Sequence, residues 1–598
     1  MSINSILNVS ESGIFTAQNT LQTISHNIAN ANTPGYSRQV VKLQNMPLTG
    51  GVQITEISRQ LDQLLDRRQE LGSSETGSLE VKDRFLSQIE QIFNETGKEG
   101  LGTRLDALYS AADNLVDNPT NPVGREEFVS RADGVARYIQ DMQHTLSGLL
   151  TPVDGEVDTL LADVNTRLKA LRDVNAQIAG GGTGDPASDL KDQRRQMVIE
   201  LGKLVNIQTL DLPGGVLQVS MAGGQGLLVD SVHAVTLKRS KNMAVDPTVE
   251  TPPGTPPKLT SFQGITMDGR DLLRVQGGKL GGLLEVRDTF INGKNGFLTR
   301  LEALADELRY QFNSIASTSA SQGLYTGQTG VFTLGNDLGI RGMSELPVDP
   351  NSPVYAGSPV DLNRVVDGTI VFAAGTDAGH LTNIANVTVG KTDTISQLVA
   401  NINSSGVVNA TITPDNKLRI QAPNGQVYGV VSDSSNVLAA MGIGGLFGGT
   451  GAWDMTVNPA LLDDSRRLGV GRLVGQAEDV NNPTLITKAT FNDGDNQAAL
   501  AVSRLRNTQF TIAGSKSTLT GNYAATVGLV GSVINQNKES MTAQKAAQSF
   551  LETLRQSTSG VSMEEELTDL LRYQRAFQAS SKMVTTANEL MQSIINMV

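Results

Sequence analysis

The sequence predicts an α+β multidomain protein in which a terminal helical coiled coil and an elongated helical bundle carry inserted β-rich outer domains. Three observations support this fold class. Apolar residues recur three and four apart at both ends of the chain, amphipathic helical spacing fills the segments beside them, and short alternating runs broken by Gly and Pro occupy the interior. At 598 residues, the length suits about four domains.

The first helix is predicted by a heptad seam, a line of apolar and small residues that faces a partner helix. It consists of Leu7, Ser10, Ile14, Ala17, Leu21, Ile24, Ile28 and Ala31. Thr33 precedes a proline and is pushed out of helical geometry, while Pro34 and Gly35 suit the central positions of a type II turn. We expect an elbow turn here, formed by Asn32, Pro34, Gly35 and Tyr36.

The last helix carries a matching seam to the end of the chain. Ser562 and Glu565 form a capping box in which each side chain can satisfy a free donor, and the acidic residues 564–566 complement the helix dipole. The seam consists of Leu570, Tyr573, Phe577, Ser580, Val584, Ala587, Met591, Ile594 and Val598.

A second apolar rank lies beside this seam and would stay exposed in a simple two-helix pair. It contains Leu567, Leu571, Met583, Leu590 and Ile595. Isolated helices are weak in water. We therefore expect both termini to be largely disordered in the free monomer and to fold when neighbouring subunits cover them. The terminal coiled-coil domain is assigned to residues 1–36 and 562–598.

Helical apolar spacing predicts the bundle, which is assigned to 37–205, 278–322 and 493–561. Its helices are expected at 57–71, 79–93, 105–116, 125–150, 157–178, 190–205, 298–315 and 522–558. Alternating runs predict a β-rich outer domain from 206–277 with parts of 323–364 and 451–492. Residues 365–450 are assigned to a small α+β outer insert, with strands near 387–389, 408–412 and 418–420 and a helix at 394–403.

Composition excludes several classes of function. The net charge is −13 without a basic tract, which argues against nucleic acid as a partner, and no apolar run is long enough for membrane insertion. The first Lys or Arg is Arg38, so the positively charged start of a secretory signal peptide is absent. The chain has no Cys, which suits either a reducing compartment or a chain exported without cross-links.

The two ends carry long motifs that resemble the axial proteins of the bacterial flagellum, which are the rod, hook and hook-associated proteins. The first motif is Ser-His-Asn-Ile-Ala-Asn-Ala-Asn-Thr-Pro-Gly-Tyr at 25–36. The others are Gly-Val-Ser-Met-Glu-Glu-Glu-Leu at 560–567, Tyr-Gln-Arg-Ala-Phe-Gln-Ala-Ser at 573–580 and Thr-Thr-Ala-Asn-Glu-Leu at 585–590. Ser-Arg-Gln-Val at 37–40 and the large helical segment look most like the hook-associated members.

The resemblance implies a structural junction or adaptor between hook and filament, exported without a cleaved signal peptide through a type III apparatus and located in the extracellular flagellum. The implied partners are further copies of the chain, the hook protein, the next hook-associated junction protein or flagellin side, and an export chaperone at the C-terminal helix. The residues expected to carry subunit assembly are Leu7, Ile14, Leu21, Ile24, Ile28, Leu570, Phe577, Val584, Met591 and Ile594.

The sequence offers no catalytic, cofactor or metal site. The four histidines are far apart and none lies in an HExxH pattern. Glycine-rich stretches at 442–448 and 514–517 lack the spacing of nucleotide-binding loops and are interpreted as turns. We therefore predict that the chain is not an enzyme. Two alternatives remain open, namely another axial role as hook or distal rod protein, and a flagellar-type scaffold whose residues 323–492 carry an adhesive or enzymatic activity.

Overall fold

The computed structural model describes residues 3–596 outside the following gaps: 34, 48–49, 95–99, 181–184, 214, 223–225, 246–258, 272–274, 322, 333, 335–363, 424, 450 and 478–485. The described chain divides into two compact units. Unit 1 contains residues 1–86, 152–288 and 534–598, and unit 2 contains 87–151 and 289–533.

Helices account for most of the regular structure in the described residues. In chain order they are α1 Ile3–Asn30, α2 Gln63–Ile92, α3 Leu101–Asp117, α4 Pro122–Gly148, α5 Leu150–Gly180, α6 Asp185–Leu204, α7 Gly278–Glu285, α8 Phe297–Ala316, α9 Ile395–Ser404, α10 Val437–Ala440, α11 Pro459–Asp463, α12 Gln497–Leu505, α13 Leu519–Ser559 and α14 Met563–Ile595. A π-helical segment, Val286–Ile291, continues α7.

The strands are short, and every strand pairing in the described part of the chain is antiparallel. They are β1 Gln39–Asn45, β2 Val52–Arg59, β3 Ile207–Asp211, β4 Leu217–Met221, β5 Leu227–Val229, β6 Leu237–Val245, β7 Leu259–Met267, β8 Arg270–Asp271, β9 Ser319–Ala320, β10 Gly327–Thr329, β11 Gly368–Gly375, β12 Asn383–Val389, β13 Asn409–Ile412, β14 Leu418–Gln421, β15 Val427–Asp433, β16 Phe447–Gly448, β17 Thr456–Val457, β18 Gly471–Arg472, β19 Val474–Ala477, β20 Ile486–Thr490, β21 Phe510–Ile512 and β22 Ser515–Ser517.

This architecture confirms the predicted α+β fold class with terminal helices. The apolar faces expected for two long helices are buried as predicted. In unit 1, α5 buries Val157, Leu161, Val164, Leu168, Leu171 and Ile178. In unit 2, α8 buries Leu298, Leu301, Leu304, Leu308, Phe312 and Ile315. Burying side chains of this size stabilises a fold by roughly 1.5 to 3 kcal/mol each.

The prediction of helix over 57–71 is wrong at its start. Residues 39–59 form an antiparallel hairpin in which Gln39 pairs with Arg59 and Asn45 with Val52. Gly50 and Gly51 both have positive φ, at 69° and 101°, which lets the chain reverse tightly. The signal was present as adjacent valines in β1 and as an alternation of β-branched and polar residues at the start of β2, which favour strand over helix. The bundle segment 37–205 therefore begins with β structure, and α2 starts only at Gln63.

The grouping of 206–277 with parts of 323–364 and 451–492 into one β-rich domain is also wrong. Strands β3–β8 belong to unit 1 and pair among themselves, whereas the described strands of 323–334 and 451–477 belong to unit 2. Most of these strands pair with a neighbour in the chain, whereas β10 pairs with β14 and β18 with β9. Alternation in sequence identifies strands but does not identify their partners, so composition alone could not separate the two groups.

The small α+β insert has the order of elements that its sequence predicts. Thr394 caps α9 and forms a capping box with Gln397, and Asn416 takes a positive φ of 56° in the turn between β13 and β14. Two three-stranded sheets, ordered β12-β11-β15 and β10-β14-β13, enclose one core with α9. This core includes Phe332 and Leu334, so the insert extends before residue 365.

Candidate assembly interface

The two terminal helices pair antiparallel within unit 1. At one end, Asn27 Nδ2 of α1 donates to Glu566 Oε2 of α14 at 3.1 Å. Further along, a Cβ placed on Gly13 would lie 2.7 Å from Ser580 Oγ, so the two backbones approach closely there. The Asn27–Glu566 and Gly13–Ser580 contacts belong to one antiparallel register, in which each step forward along α1 matches one step back along α14. Continued to the start of α1, this register places Ile3 opposite Leu590.

The predicted seam of α1 lies on the helix face that meets α14, but its deepest residues are not the large apolar ones. Ile24 is buried, whereas Leu7, Ile14, Leu21 and Ile28 are half-buried. The other buried positions of α1 are small or polar: Ser10, Thr16, Ala17, Thr20, Thr23 and Asn27. Several hydroxyls bond carbonyls one turn earlier, such as Ser10 Oγ to Ile6 O at 2.7 Å, which removes the cost of burying them.

The seam of α14 is covered in its middle and open at its end. Leu570, Phe577 and Val584 are half-buried, while Met591 and Ile594 are exposed. Because the register places Ile3 opposite Leu590, Ile594 lies past the described start of α1. Part of the predicted assembly set therefore remains uncovered in a single chain.

The second apolar rank of α14 is exposed, as the sequence predicts. The exposed fractions of its five side chains range from 43% to 70%; the residues are Leu567, Leu571, Met583, Leu590 and Ile595. In heptad terms, Leu567 and Ile595 flank the seam on one side and Met583 and Leu590 on the other. Five exposed apolar side chains along one helix are typical of an interaction face rather than of a free surface.

The elbow after α1 has the features of a type II turn. Tyr36 N donates to Thr33 O at 3.2 Å, and Gly35 adopts a φ of +82°, as the third residue of that turn requires. Asn32 is exposed and Tyr36 is buried. The predicted elbow residue Pro34 lies outside the described residues.

Asn27 ties the elbow to both terminal helices. Its Oδ1 accepts from the Tyr36 hydroxyl at 2.8 Å and from Gln39 N at 3.0 Å, while its Nδ2 donates to Glu566. His26 Nδ1 lies 3.0 Å from the same hydroxyl. The amide of Asn27 therefore contacts three segments at once. Sequence reasoning missed this role because none of these partners follows helical spacing.

Arg38 closes the network against the first turn of α14. Its Nε donates to Glu566 Oε1 at 2.7 Å and its Nη1 to Glu565 Oε2 at 3.0 Å. The predicted capping box is therefore only half formed: Ser562 Oγ accepts from Glu565 N, but the Glu565 carboxylate is drawn to Arg38. A charge-assisted bond is stronger than a neutral one, which explains the preference.

The other side of the elbow is anchored to α6 and α13. Ser37 donates through both N and Oγ to Asp192, at 3.1 and 3.0 Å, and Arg59 Nη1 lies 2.7 Å from the same carboxylate. Arg38 N donates to Ser559 O at 2.9 Å. The chain direction after α1 is thus fixed by paired charges and backbone bonds, and not by the turn alone.

Metal binding and membrane insertion are the two other functions on which the described residues bear. In that part of the chain, no group of three or more His, Cys, Asp or Glu side chains is placed to hold a metal ion. Of the helices described, none combines the length and apolar character needed to cross a membrane.

Comparisons with known proteins match both ends and the helical region. The family described as "Flagella basal body rod protein" matches residues 7–36, and "Flagellar basal body rod FlgEFG protein C-terminal" matches 548–597. The family described as "Flagellar hook-associated protein FlgK helical domain" matches 86–331. Shared termini of this kind define the class: the chain is an axial protein of the bacterial flagellum.

Relatives that match the whole length of the chain show which kind of axial protein it resembles. Flagellar hook-associated protein 1 of Salmonella typhimurium is 25% identical, with 99% of this chain and 100% of the relative covered, and that of Escherichia coli is 23% identical over the same shares. The solved structure of the flagellar hook junction protein FlgK from Burkholderia pseudomallei has the same fold, with a TM-score of 0.51 at 16% identity, covering 82% of this chain and 100% of that one. The chain is thus similar along its whole length to flagellar hook-associated protein 1, and it is a structural protein of the hook–filament junction.

Proposed function

We propose that the exposed apolar rank of α14, with the uncovered end of its seam, packs against neighbouring subunits at the hook–filament junction. The chain is a structural component of the flagellum, and its relatives are structural proteins rather than enzymes. The observation that carries the proposal is the exposure of Leu567, Leu571, Met583, Leu590 and Ile595. A free monomer gains nothing from this surface unless another helix covers it.

The uneven burial of the two terminal helices supports the same proposal. On α1, small buried residues let the helices approach closely, while Leu7, Ile14, Leu21 and Ile28 stay only half-covered. On α14, Leu570, Phe577 and Val584 are half-covered and Met591 and Ile594 are open. Each side chain that a neighbour covers would add on the order of 1 kcal/mol, since about half of its burial remains to be gained. Many copies would make the assembly stable although one helix pair is weak.

The elbow network then sets the direction in which the terminal pair leaves the rest of unit 1. Asn27, Arg38 and Glu566 fix α1 and α14 to each other, and Asp192 fixes the segment between them to α6. Asn32, Pro34, Gly35 and Tyr36 are proposed to form the bend itself. Subunits with a fixed bend can present the same helix pair to each neighbour in a symmetric assembly.

The partners proposed for this surface are further copies of the chain, the hook protein on one side and the next junction protein or flagellin on the other. Before assembly, an export chaperone is proposed to cover the apolar rank of α14. Such a cover would keep the surface from aggregating during type III export to the outside of the cell, without a cleaved signal peptide.

The test replaces two exposed residues on opposite sides of the α14 seam. Leu567→Asp/Leu590→Asp should leave the helix content and melting of the monomer nearly unchanged, because both side chains are already half-exposed. The charged pair should abolish incorporation onto hooks. A deletion strain carrying this variant should show hooks without filaments by electron microscopy and no spreading in motility agar.

The matched control is Val232→Asp, which introduces the same charge at a side chain that is 69% exposed and lies away from the terminal helices. It should support normal filaments. Normal filament growth with the double variant, at wild-type protein level, would overturn the proposal.

A further inference from the structure

A cleft of about 640 Å³ opens in unit 2, beside the start of α4 and the 3₁₀ turn at Ser465–Arg467. Its wall contains three arginines, Arg125, Arg466 and Arg467, together with Asp464 and the segment around Tyr325. Pockets of this size accept small organic molecules. The proposed assembly role makes no use of this cleft.

Arg125 is the unusual residue of the wall. It is 94% buried, since only 6% of its surface is exposed, and burial lowers its pKa. Its guanidinium donates to two carbonyl oxygens, Pro119 O at 3.0 Å and Arg466 O at 3.1 Å. Among the described residues no carboxylate pairs with it, and its Nε has no acceptor. A guanidinium has five N–H donors, so three remain uncommitted.

The remaining charges of the wall leave an excess of positive charge. Asp464 pairs with Arg466 at 2.8 Å and lies 3.9 Å from Arg467 Nε, so the wall carries one carboxylate for its three arginines. Pro122, the first residue of α4, also lines the cleft. The positive end of the helix dipole therefore adds to the same field.

The cleft wall is held in place by hydrogen bonds to backbone groups. Tyr325 donates its hydroxyl to Arg467 O at 2.8 Å, and Asn121 accepts from Val123 N to cap α4. Arg125 reaches the carbonyl of Arg466 from the other side. The three arginines are thus presented by fixed backbone, which is the arrangement that oxyanion recognition requires.

From this arrangement we propose that the cleft binds a small molecule through an oxyanion group, either a phosphate or a carboxylate. The anion would supply the negative partner that the buried Arg125 lacks. Arg466 and Arg467 would complete the contact from the exposed rim, where they share the single carboxylate of Asp464.

Isothermal titration calorimetry of the full chain tests this, with inorganic phosphate and succinate titrated separately at constant ionic strength in chloride. We expect saturable one-site binding with a Kd on the order of millimolar for at least one of them. Arg466→Gln/Arg467→Gln should weaken it by about tenfold, because two charge-assisted contacts are lost. The tighter of the two probes identifies the chemistry of the anion.

Arg131→Gln is the matched control, since Arg131 is an exposed arginine of α4 that pairs with Glu127 outside the cleft. Its binding should equal that of the unmodified chain. Arg125→Met should abolish binding, and circular dichroism must show that this variant is folded. The proposal is overturned if neither anion binds saturably, or if the double variant binds as tightly as the control.

Discussion

Glu566 is the residue on which the terminal pair depends most. Its side chain is only 2% exposed, and removing a carboxylate from water costs several kcal/mol unless partners replace the lost hydration. Arg38 and Asn27 supply those partners from two other segments. A buried charge of this kind is satisfied in one arrangement only, so it specifies how α1, the elbow and α14 meet.

Glu566→Ala should therefore loosen α14 from α1 by about 2 kcal/mol, because Arg38 keeps only its weaker, exposed partners Glu565 and Asp569. Amide hydrogen exchange along α14 measures this as a lower free energy of opening. Glu564→Ala is the control at an exposed position of the same turn, and its effect should stay below about 0.5 kcal/mol. Equal effects of the two variants would contradict the assigned role.

Glu302 of unit 2 provides a pH-dependent contribution to stability. Burial raises its pKa to about 7, with the nearby carboxylates Asp306 and Asp454 adding to the shift and Arg309 opposing it. The ordinary value is 4.5. The folded state therefore binds more protons between these pH values, and the stability that Glu302 contributes is complete below pH 4.5 and is lost as the pH rises through 7.

Glu302→Gln should remove this dependence and raise the stability of unit 2 at pH 8 by roughly 1 kcal/mol, since no buried charge is then formed. The backbone N–H of Ala452 donates to Glu302 at 2.9 Å, and a glutamine oxygen can accept the same bond. Trp453 follows Ala452 and is the single tryptophan of the chain, so its fluorescence during urea unfolding reports on this site. An unchanged difference between pH 5 and pH 8 would contradict the assignment.

At the scale of elements, the sequence predicted where the helices lie but not which elements they pack against. Apolar residues that recur three and four apart predicted α1 and α14. The apolar residues beside the seam of α14 also predicted the exposed second rank from the sequence alone. This pattern could not show that the pair runs antiparallel, or that Gly13 lies against Ser580. Spacing along one helix does not identify the residue that lies opposite, so the close approach at Gly13 appears only when the partner is in place.

The hairpin β1–β2 shows the opposite failure, in which a local signal was overlooked. Ile54 and Ile57 are three residues apart, which fits helical spacing and not strand alternation; in the hairpin a register shift between Lys42 and Leu43 accommodates them. Gly50 and Gly51 favour a hairpin over a helix, because their positive φ values allow the chain reversal that pairs the two strands. The expectation that the terminal helices fold fully only in the assembly stays a prediction.

At the scale of the whole molecule, the outer insert is best delimited by its core. Deleting 365–450 should expose Phe332 and Leu334, which pack into that core, and the product should aggregate. Deleting 327–443 with a short Gly-Ser linker removes both residues together with their partners and should stay monomeric by size-exclusion chromatography. Similar aggregation of the two deletions would show that the core extends further.

The same deletion addresses the alternative that the outer region carries an adhesive or enzymatic activity. A strain with the 327–443 deletion should keep filaments and motility if the terminal helices alone direct assembly. Loss of surface attachment with normal motility would assign a second function to the insert. Loss of filaments would instead show that the insert takes part in the junction.

By itself, the sequence determined the fold class, the two terminal seams, the elbow with Gly35, and the flagellar axial class. These features are local or periodic, so they can be read along one chain. Only the tertiary structure decided the antiparallel register, the division of the β segments between two units, and the network joining Asn27, Arg38 and Glu566. Residues 27 and 566 lie at opposite ends of the chain, and a buried charge has no sequence signature until folding removes its water and requires a partner.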